Sequence, residues 1–271
     1  MRVRILPYRT GSASARALSQ RLGVPRINLV RTRFRARDGD LILNWGEHNT
    51  IPHGTLAMGT VQWLNPLHRV AMARDKLTAF RMMKALDVPT VEWTQDPAVA
   101  LGWCNEDSAK HGNGMPRIAG FARTTTTGQG GAGIVPIMSG TEYSIEGYAW
   151  PAAPLYTRYW KAKHEYRVHV ICGEAYAQKK RRRNVVEPSV IRNHRNGYVF
   201  CTQNVSPPDL VMQTARDAIN SIGLHFGAVD ILCNKAETEA RVLEINTAPG
   251  LEGTTLDFYV SKLRGIINDD S

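Results

Sequence analysis

Asp230, Glu244 and Asn246 are two carboxylates and an amide with the residue types and spacing to hold a hard divalent cation. The segments GAVDILC (227–233) and RVLEIN (241–246) read as strands joined by residues 234–240. A hairpin with its turn centred on Glu237 sets Asp230 opposite Glu244, and side-chain alternation brings Asn246 to the same face. Carboxylates about 5 Å apart repel by roughly 3 kcal/mol at an effective dielectric of about 20. The apolar neighbours Val229, Ile231, Leu243 and Ile245 bury the hairpin and raise that cost. Magnesium with bound phosphates removes the repulsion, because it takes oxygen ligands of this kind. An exposed acidic pair on a sheet face, or one protonated carboxyl, satisfies the spacing equally well.

Gly128, Gly130 and Gly133 spell G-x-G-x-x-G, a dinucleotide fingerprint only when a strand precedes and a helix follows. Here β-type residues follow, so residues 125–133 read as a hairpin lid whose side-chain-free backbone can approach phosphate. The run Lys179–Arg183 is unbroken positive charge on a strand, and alternation puts Lys179 and Arg181 on one face. The eight histidines and four cysteines form no metal-ligand spacing, which predicts reduced thiols in a cytoplasmic protein. No Ser-His-Asp or Cys-His arrangement stands out.

These groups need elements to position them. The first 64 residues predict a small α/β unit, with strands at 2–6 and 41–45, a helix at 13–22 and a further strand at 27–30. It is short for a free-standing domain, so it is expected to pack on the rest of the chain. Asn65 and Pro66 open a helical region in which Leu77, Phe80, Met83 and Leu86 recur at helical spacing until Pro89. Strands come next at 117–124, 134–138, 155–160, 165–172 and 174–181. A helix at 208–222, with Ser206 as candidate cap, precedes the acidic hairpin, and a helix at 254–266 closes the chain. The class is α+β with antiparallel hairpins in the second half. The net charge of +10 favours an anionic partner: nucleotide phosphate, nucleic acid or an acidic polypeptide. No apolar run approaches the roughly 20 residues of a membrane span, and the N-terminus reads as a strand, not a secretory signal.

In order along the chain, four segments resemble the ATP-grasp core. ARDKLTAFRMMKALDVPT (73–90) is similar to its opening helix and V-P-T exit, and FARTTTTGQGGAGI (121–134) to its basic strand and glycine-rich lid. LYTRYW with HEYRVHV (155–170) resembles the hinge lining the adenine pocket and the strand after it, and EINTAPGLEGTT (244–255) the metal-binding end. The resemblance implies an ATP-grasp fold, two α+β lobes sandwiching ATP: a short N-terminal unit (1–64), a central lobe (65–154) and a C-terminal lobe (155–271). It implies ATP and magnesium, with manganese able to stand in, and a carboxylate–amine ligase similar to ribosomal-protein glutamate ligases.

By the same resemblance, Asp230, Glu244 and Asn246 hold the metal, and backbone groups at Tyr156 and Thr157 read the adenine edge. Glu165 holds the ribose, Gly128, Gly130 and Gly131 cover the phosphates, and Arg123 takes the place of a phosphate-binding lysine. An arginine there is not equivalent to lysine. Arg167, Lys179 and Arg181 neutralise transferred charge, while His194, Asn196 and Gly250 are candidates for touching substrate. The N-W-G-E-H-N stretch (44–49) either lines the acyl pocket or forms a turn. The expected partners are a carboxylate and an amine, with an amino acid or an acidic peptide or protein as acceptor. A kinase of the same fold and a basic nucleic-acid-binding module are the alternatives; oligomeric state is not readable.

Overall fold

The structure, a computed structural model, describes residues 1–28, 34–49, 61–111, 117–128, 131–140, 150–183, 189, 192–193 and 196–269. Three sheets organise them. The first is parallel, in the order β1 (Val3–Pro7), β2 (Leu41–Trp45), β3 (Gln62–Leu64), with α1 (Ala13–Leu22) between its first two strands in sequence. Ser12 starts that helix by accepting from the Ala15 N–H at 3.3 Å, and Gly23 ends it in the left-handed region at φ 71°. The unit does pack on the rest of the chain. Trp45 stacks on Phe226 and meets Tyr259 edge-on, each at 5.4 Å between ring centroids, within one cluster that also takes in Leu18, Leu43 and Leu263.

The predicted helical region is two helices, α2 (Leu67–Arg74) and α3 (Lys76–Ala85), broken at Asp75. Asp75 is extended (φ −80°, ψ 109°) and its carboxylate accepts from the Thr78 N–H at 2.8 Å, which starts α3. The break frees the Lys76 N–H from the helix to donate to the Thr126 carbonyl at 3.0 Å.

The second sheet is antiparallel and ordered β4 (Trp93–Thr94), β7 (Leu155–Arg158), β5 (Arg117–Arg123), β6 (Ile134–Ser139), and α4 (Pro97–His111) packs on it. β5 and β6 form a hairpin on either side of the glycine segment and β6, not a helix, follows it, so the strand-then-helix setting of a dinucleotide fingerprint is not met. The third sheet is ordered β10 (Tyr198–Cys201), β9 (Glu174–Arg182), β8 (His164–Ile171), β11 (Phe226–Cys233), β12 (Ala240–Asn246), also antiparallel. Against it lies α5 (Asp209–Ile222), whose N-cap position is Pro208 with no side-chain cap, not Ser206. The last helix is α6 (Gly253–Asp269).

Two boundaries differ from those read in the sequence. Leu155–Arg158 pairs with β4 and β5, so the second sheet extends past residue 154 and the crossing to the third sheet comes after 158. The α2–α3 pair joins the core of the third sheet, where Val70, Phe80 and Met83 pack with Ile219, Ile231 and Val242. A strand's local pattern does not name its partner strand, so neither assignment is available from the residues alone.

Candidate active site

A cleft of about 1210 Å³ opens where the three sheets meet. Its walls include Tyr8 and Gly46 from the N-terminal unit, Arg74, Lys76, Arg123, Gly128 and Gly131, and Arg167, Gln178 and Lys180 from the third sheet. Asp230, the stretch Leu243–Ala248 and the start of α6 complete it.

The acidic pair forms: Asp230 and Glu244 are directly opposite in the β11–β12 ladder, and Asn246 lies two residues along. The turn alone does not set this pairing, because Cys233 opposite Ala240 would carry Asp230 to Leu243; a β-bulge between Asp230 and Ile231 brings Glu244 into place. The ladder continues outward. Asp230 is opposite Arg167, and Arg167 is opposite Gln178, giving a polar row of Glu244, Asp230, Arg167 and Gln178 across four strands. Arg167 grips Asp230 with both arms of its guanidinium, Nε to Oδ1 at 2.6 Å and Nη2 to Oδ2 at 2.7 Å. Burial pushes the Asp230 carboxyl up, but the charges of Arg167 and Lys180 and the two Arg167 hydrogen bonds hold it below the ordinary carboxylate range. The Lys76 Nζ stands 3.5 Å from Glu244 Oε2 and donates to the Gly128 carbonyl at 2.7 Å, joining the hairpin lid to the acidic row.

Among the described residues no group of three His, Cys, Asp or Glu side chains is arranged to hold a metal, so a cation here depends on the amide. Asn246 fits that part. Its Nδ2 is buried in the cleft wall without a hydrogen-bond partner, and turning the amide over puts an oxygen ligand in its place. Two carboxylates and an amide oxygen are the donors magnesium takes.

The glycines of the lid are set by close approach. A Cβ on Gly128 would stand 2.5 Å from the Ala132 carbonyl oxygen, and one on Gly133, at φ +72°, 2.7 Å from Thr125. Gly131 lines the cleft as well, whereas Gly130 lies outside the described residues. Arg123 is in the cleft wall, its Nε 3.4 Å from Thr157 Oγ1, and burial lowers its pKa.

Several expected roles do not match the placement. Lys179 faces away from the cleft, its ammonium 5.3 Å over the Tyr166 ring, and Arg181 is exposed with Nη2 3.4 Å from the Asn204 carbonyl. The two do share a face, but it is the wrong one. Lys180 is the lysine that β9 sends into the cleft, and it hydrogen-bonds Glu165. The signal was present: Cys172 and Gly173 make a two-residue turn, which sets Ile171 opposite Glu174 and hence Arg167 opposite Gln178. Alternation then puts Gln178 and Lys180 beside Arg167.

Tyr156 and Thr157 are buried in the second sheet and absent from the cleft wall. β7 is paired on both flanks there, so its backbone offers a base no free edge; the chain leaves the sheet only after Tyr159, whose N–H donates to Ala119. Glu165 is buried behind Lys180, with Arg192 Nη1 3.7 Å from its other oxygen, so both oxygens are already engaged. Burial raises its pKa against the pull of Lys180.

Gly250 lines the cleft. Asn196 does not; its Nδ2 donates to Ser189 Oγ at 3.1 Å, and Asn193 reaches the wall instead. His194 lies outside the described residues. In the 44–49 stretch Gly46 lines the cleft, while Glu47 is buried and its Oε1 accepts from the backbone of His48 and Asn49. Lys76 and Arg74 were not singled out in the sequence; Arg74 lies in the wall with Nη1 3.2 Å from His48 Nδ1. No helix among the described residues is long and apolar enough to cross a membrane.

No protein-family model matches the chain, and no curated protein sequence matches it either. Solved structures do. A D-alanine–D-alanine ligase from Bacillus anthracis superposes with a TM-score of 0.64 at 14% identity, over 100% of this chain and 97% of that one. The macrocyclase MdnC, bound with precursor peptide MdnA from Microcystis aeruginosa MRC, gives 0.63 at 12% identity, over 99% and 100%. The ATP-grasp ligase PsnB, complexed with minimal precursor, Mg and ADP, gives 0.62 at 13% identity, over 96% of each chain. The chain therefore has the ATP-grasp fold.

Proposed function

We propose that the protein is an ATP-dependent ligase that joins a carboxylate to an amine through an acyl phosphate. The observation that carries this reading is the row Glu244–Asp230–Arg167, with Asn246 beside it, facing a glycine hairpin across a basic cleft on this fold. Asp230, Glu244 and Asn246 would hold magnesium, which supplies charge neutralisation for phosphoryl transfer. The chain's own cations do the rest of that work. Lys76, tied to Gly128, and Arg123, on the strand leading into the hairpin, would bind the phosphates; Lys180 stands on the opposite wall. An oxygen of the substrate carboxylate attacks the γ-phosphorus, and the bond to the β–γ bridging oxygen breaks to release ADP. The amine nitrogen then attacks the acyl carbon, phosphate leaves, and the nitrogen loses its proton.

An amino acid or peptide acceptor is supported by two features. The cleft wall carries Arg74, Lys76, Arg123, Arg167, Lys180, Arg183 and Arg192 against Asp230, Glu244 and Glu252, an excess suited to anionic ligands. MdnC and PsnB were both solved with precursor peptides.

The test is release of ADP and phosphate from MgATP across pools of amino acids and acidic peptides. Release of both products only when an acid and an amine are present, and its loss in Glu244→Gln, is the expected result. ADP without phosphate would mean a kinase.

A further inference from the structure

Both carboxylates of the candidate metal site already have a cation. Arg167 holds Asp230 through two hydrogen bonds at 2.6 and 2.7 Å, with only 18% of the arginine side chain and 5% of the aspartate exposed. Lys76 stands 3.5 Å from Glu244. Two negative charges face two positive ones, so a free divalent cation meets little net attraction, and it must compete with a bidentate guanidinium in a poorly solvated place. Both resident cations are also part of the cleft wall. Arg167 lies over the Phe200 ring at 4.2 Å, which steadies the guanidinium while its hydrogen-bond partner changes.

We infer, on the ligase reading above, that the metal site is shut until nucleotide arrives. Phosphate oxygens draw Arg167 and Lys76 off Asp230 and Glu244, and the vacated carboxylates take the divalent cation. Each charged group exchanges one partner for another and none is left buried alone, the arrangement that would carry the large desolvation penalty. Cation and nucleotide thus enter as one unit, and by linkage each raises the affinity for the other by the same factor. A nucleotide that merely added its own phosphate ligands to an open site would also favour joint binding. Losing any nearby positive charge favours a bare cation, so the two cases differ in degree in the nucleotide-free protein. A shut site gains far more from losing Arg167 or Lys76, which occupy its carboxylates, than from losing Lys180, which stands in the same wall but is bonded to Glu165.

The experiment counts free Mn²⁺ by electron paramagnetic resonance in titrations of the full chain, with and without AMPPNP. It is run on wild type, Arg167→Gln, Lys76→Met and Lys180→Met. The second variant keeps Asp230 paired and so guards against a folding defect in the first, and the third measures the effect of a lost charge alone. The expected result is that Arg167→Gln and Lys76→Met, without nucleotide, each bind Mn²⁺ at least about fivefold more tightly than Lys180→Met does, within the usual range of coupling between sites. The ratio of affinities with and without AMPPNP should shrink correspondingly. Nucleotide-free Mn²⁺ binding in Arg167→Gln and Lys76→Met no tighter than in Lys180→Met, with AMPPNP still bound by wild type, overturns this inference and leaves the ligase reading standing. Failure of wild type to bind AMPPNP at all removes both.

Discussion

Lys179 and Lys180 are adjacent in sequence and lie on opposite faces of β9, one over Tyr166 and the other in the cleft against Glu165. That difference makes a sharp prediction. Lys180→Met should lower ATP turnover by about tenfold or more, the loss of a charge-assisted contact of about 1.4 kcal/mol in the transition state. Lys179→Met should stay within about threefold and act mainly on stability, through a cation–π contact of about 0.5–1 kcal/mol. Steady-state kinetics on the two variants checks it, and the reverse order would contradict the placement. At this scale the two strands of the acidic hairpin were legible in the sequence, but their register was not: the turn pairs Cys233 with Ala240, and only a β-bulge between Asp230 and Ile231, which no residue pattern announces, sets Asp230 opposite Glu244. The basic run was not read correctly, because five consecutive cations give alternation nothing to distinguish the faces. Only the Cys172–Gly173 turn resolves it, by setting the register to Arg167.

The elements hold the acidic row through a buried polar tie between sheet and helix. His169, on β8 and wholly buried, has Nε2 3.1 Å from Gln178 Oε1 on β9 and Nδ1 3.3 Å from the Tyr259 hydroxyl on α6. Gln178 donates onward to Thr255 at 2.9 Å. Burial holds the His169 pKa down to about 4, from an ordinary 6.5. Between those values the unfolded chain carries a proton at this residue that the native protein does not. Stability should therefore be full above about 6.5 and fall as the pH drops towards about 4. Thermal melting across that range should show the decline in wild type and a shallower one in His169→Gln; parallel curves would contradict it. Such ties are poorly legible in sequence, since they join residues 90 apart, His169 and Tyr259. The same holds for the break at Asp75. Val70, Ala73, Leu77 and Phe80 keep helical spacing across it, so periodicity merges α2 with α3 and hides why the Lys76 N–H reaches Thr126.

On the scale of the whole molecule, the order along the chain of the four segments that resemble the ATP-grasp core carried the fold, which the solved structures share. The dependence of the N-terminal unit on its neighbours was legible from its length, and Trp45 between Phe226 and Tyr259 is the physical form it takes. The cleft was not legible, since its walls come from all three sheets, nor was the partner of Leu155–Arg158. On the proposed ligase function this cleft binds magnesium nucleotide through the acidic row, and calorimetric titration of AMPPNP tests that binding. Wild type should bind only with magnesium present, and Asp230→Asn should weaken binding by about tenfold or more, the loss of a carboxylate ligand. Absence of binding at any magnesium concentration, or binding that Asp230→Asn leaves untouched, would mean that the acidic row does not hold magnesium nucleotide.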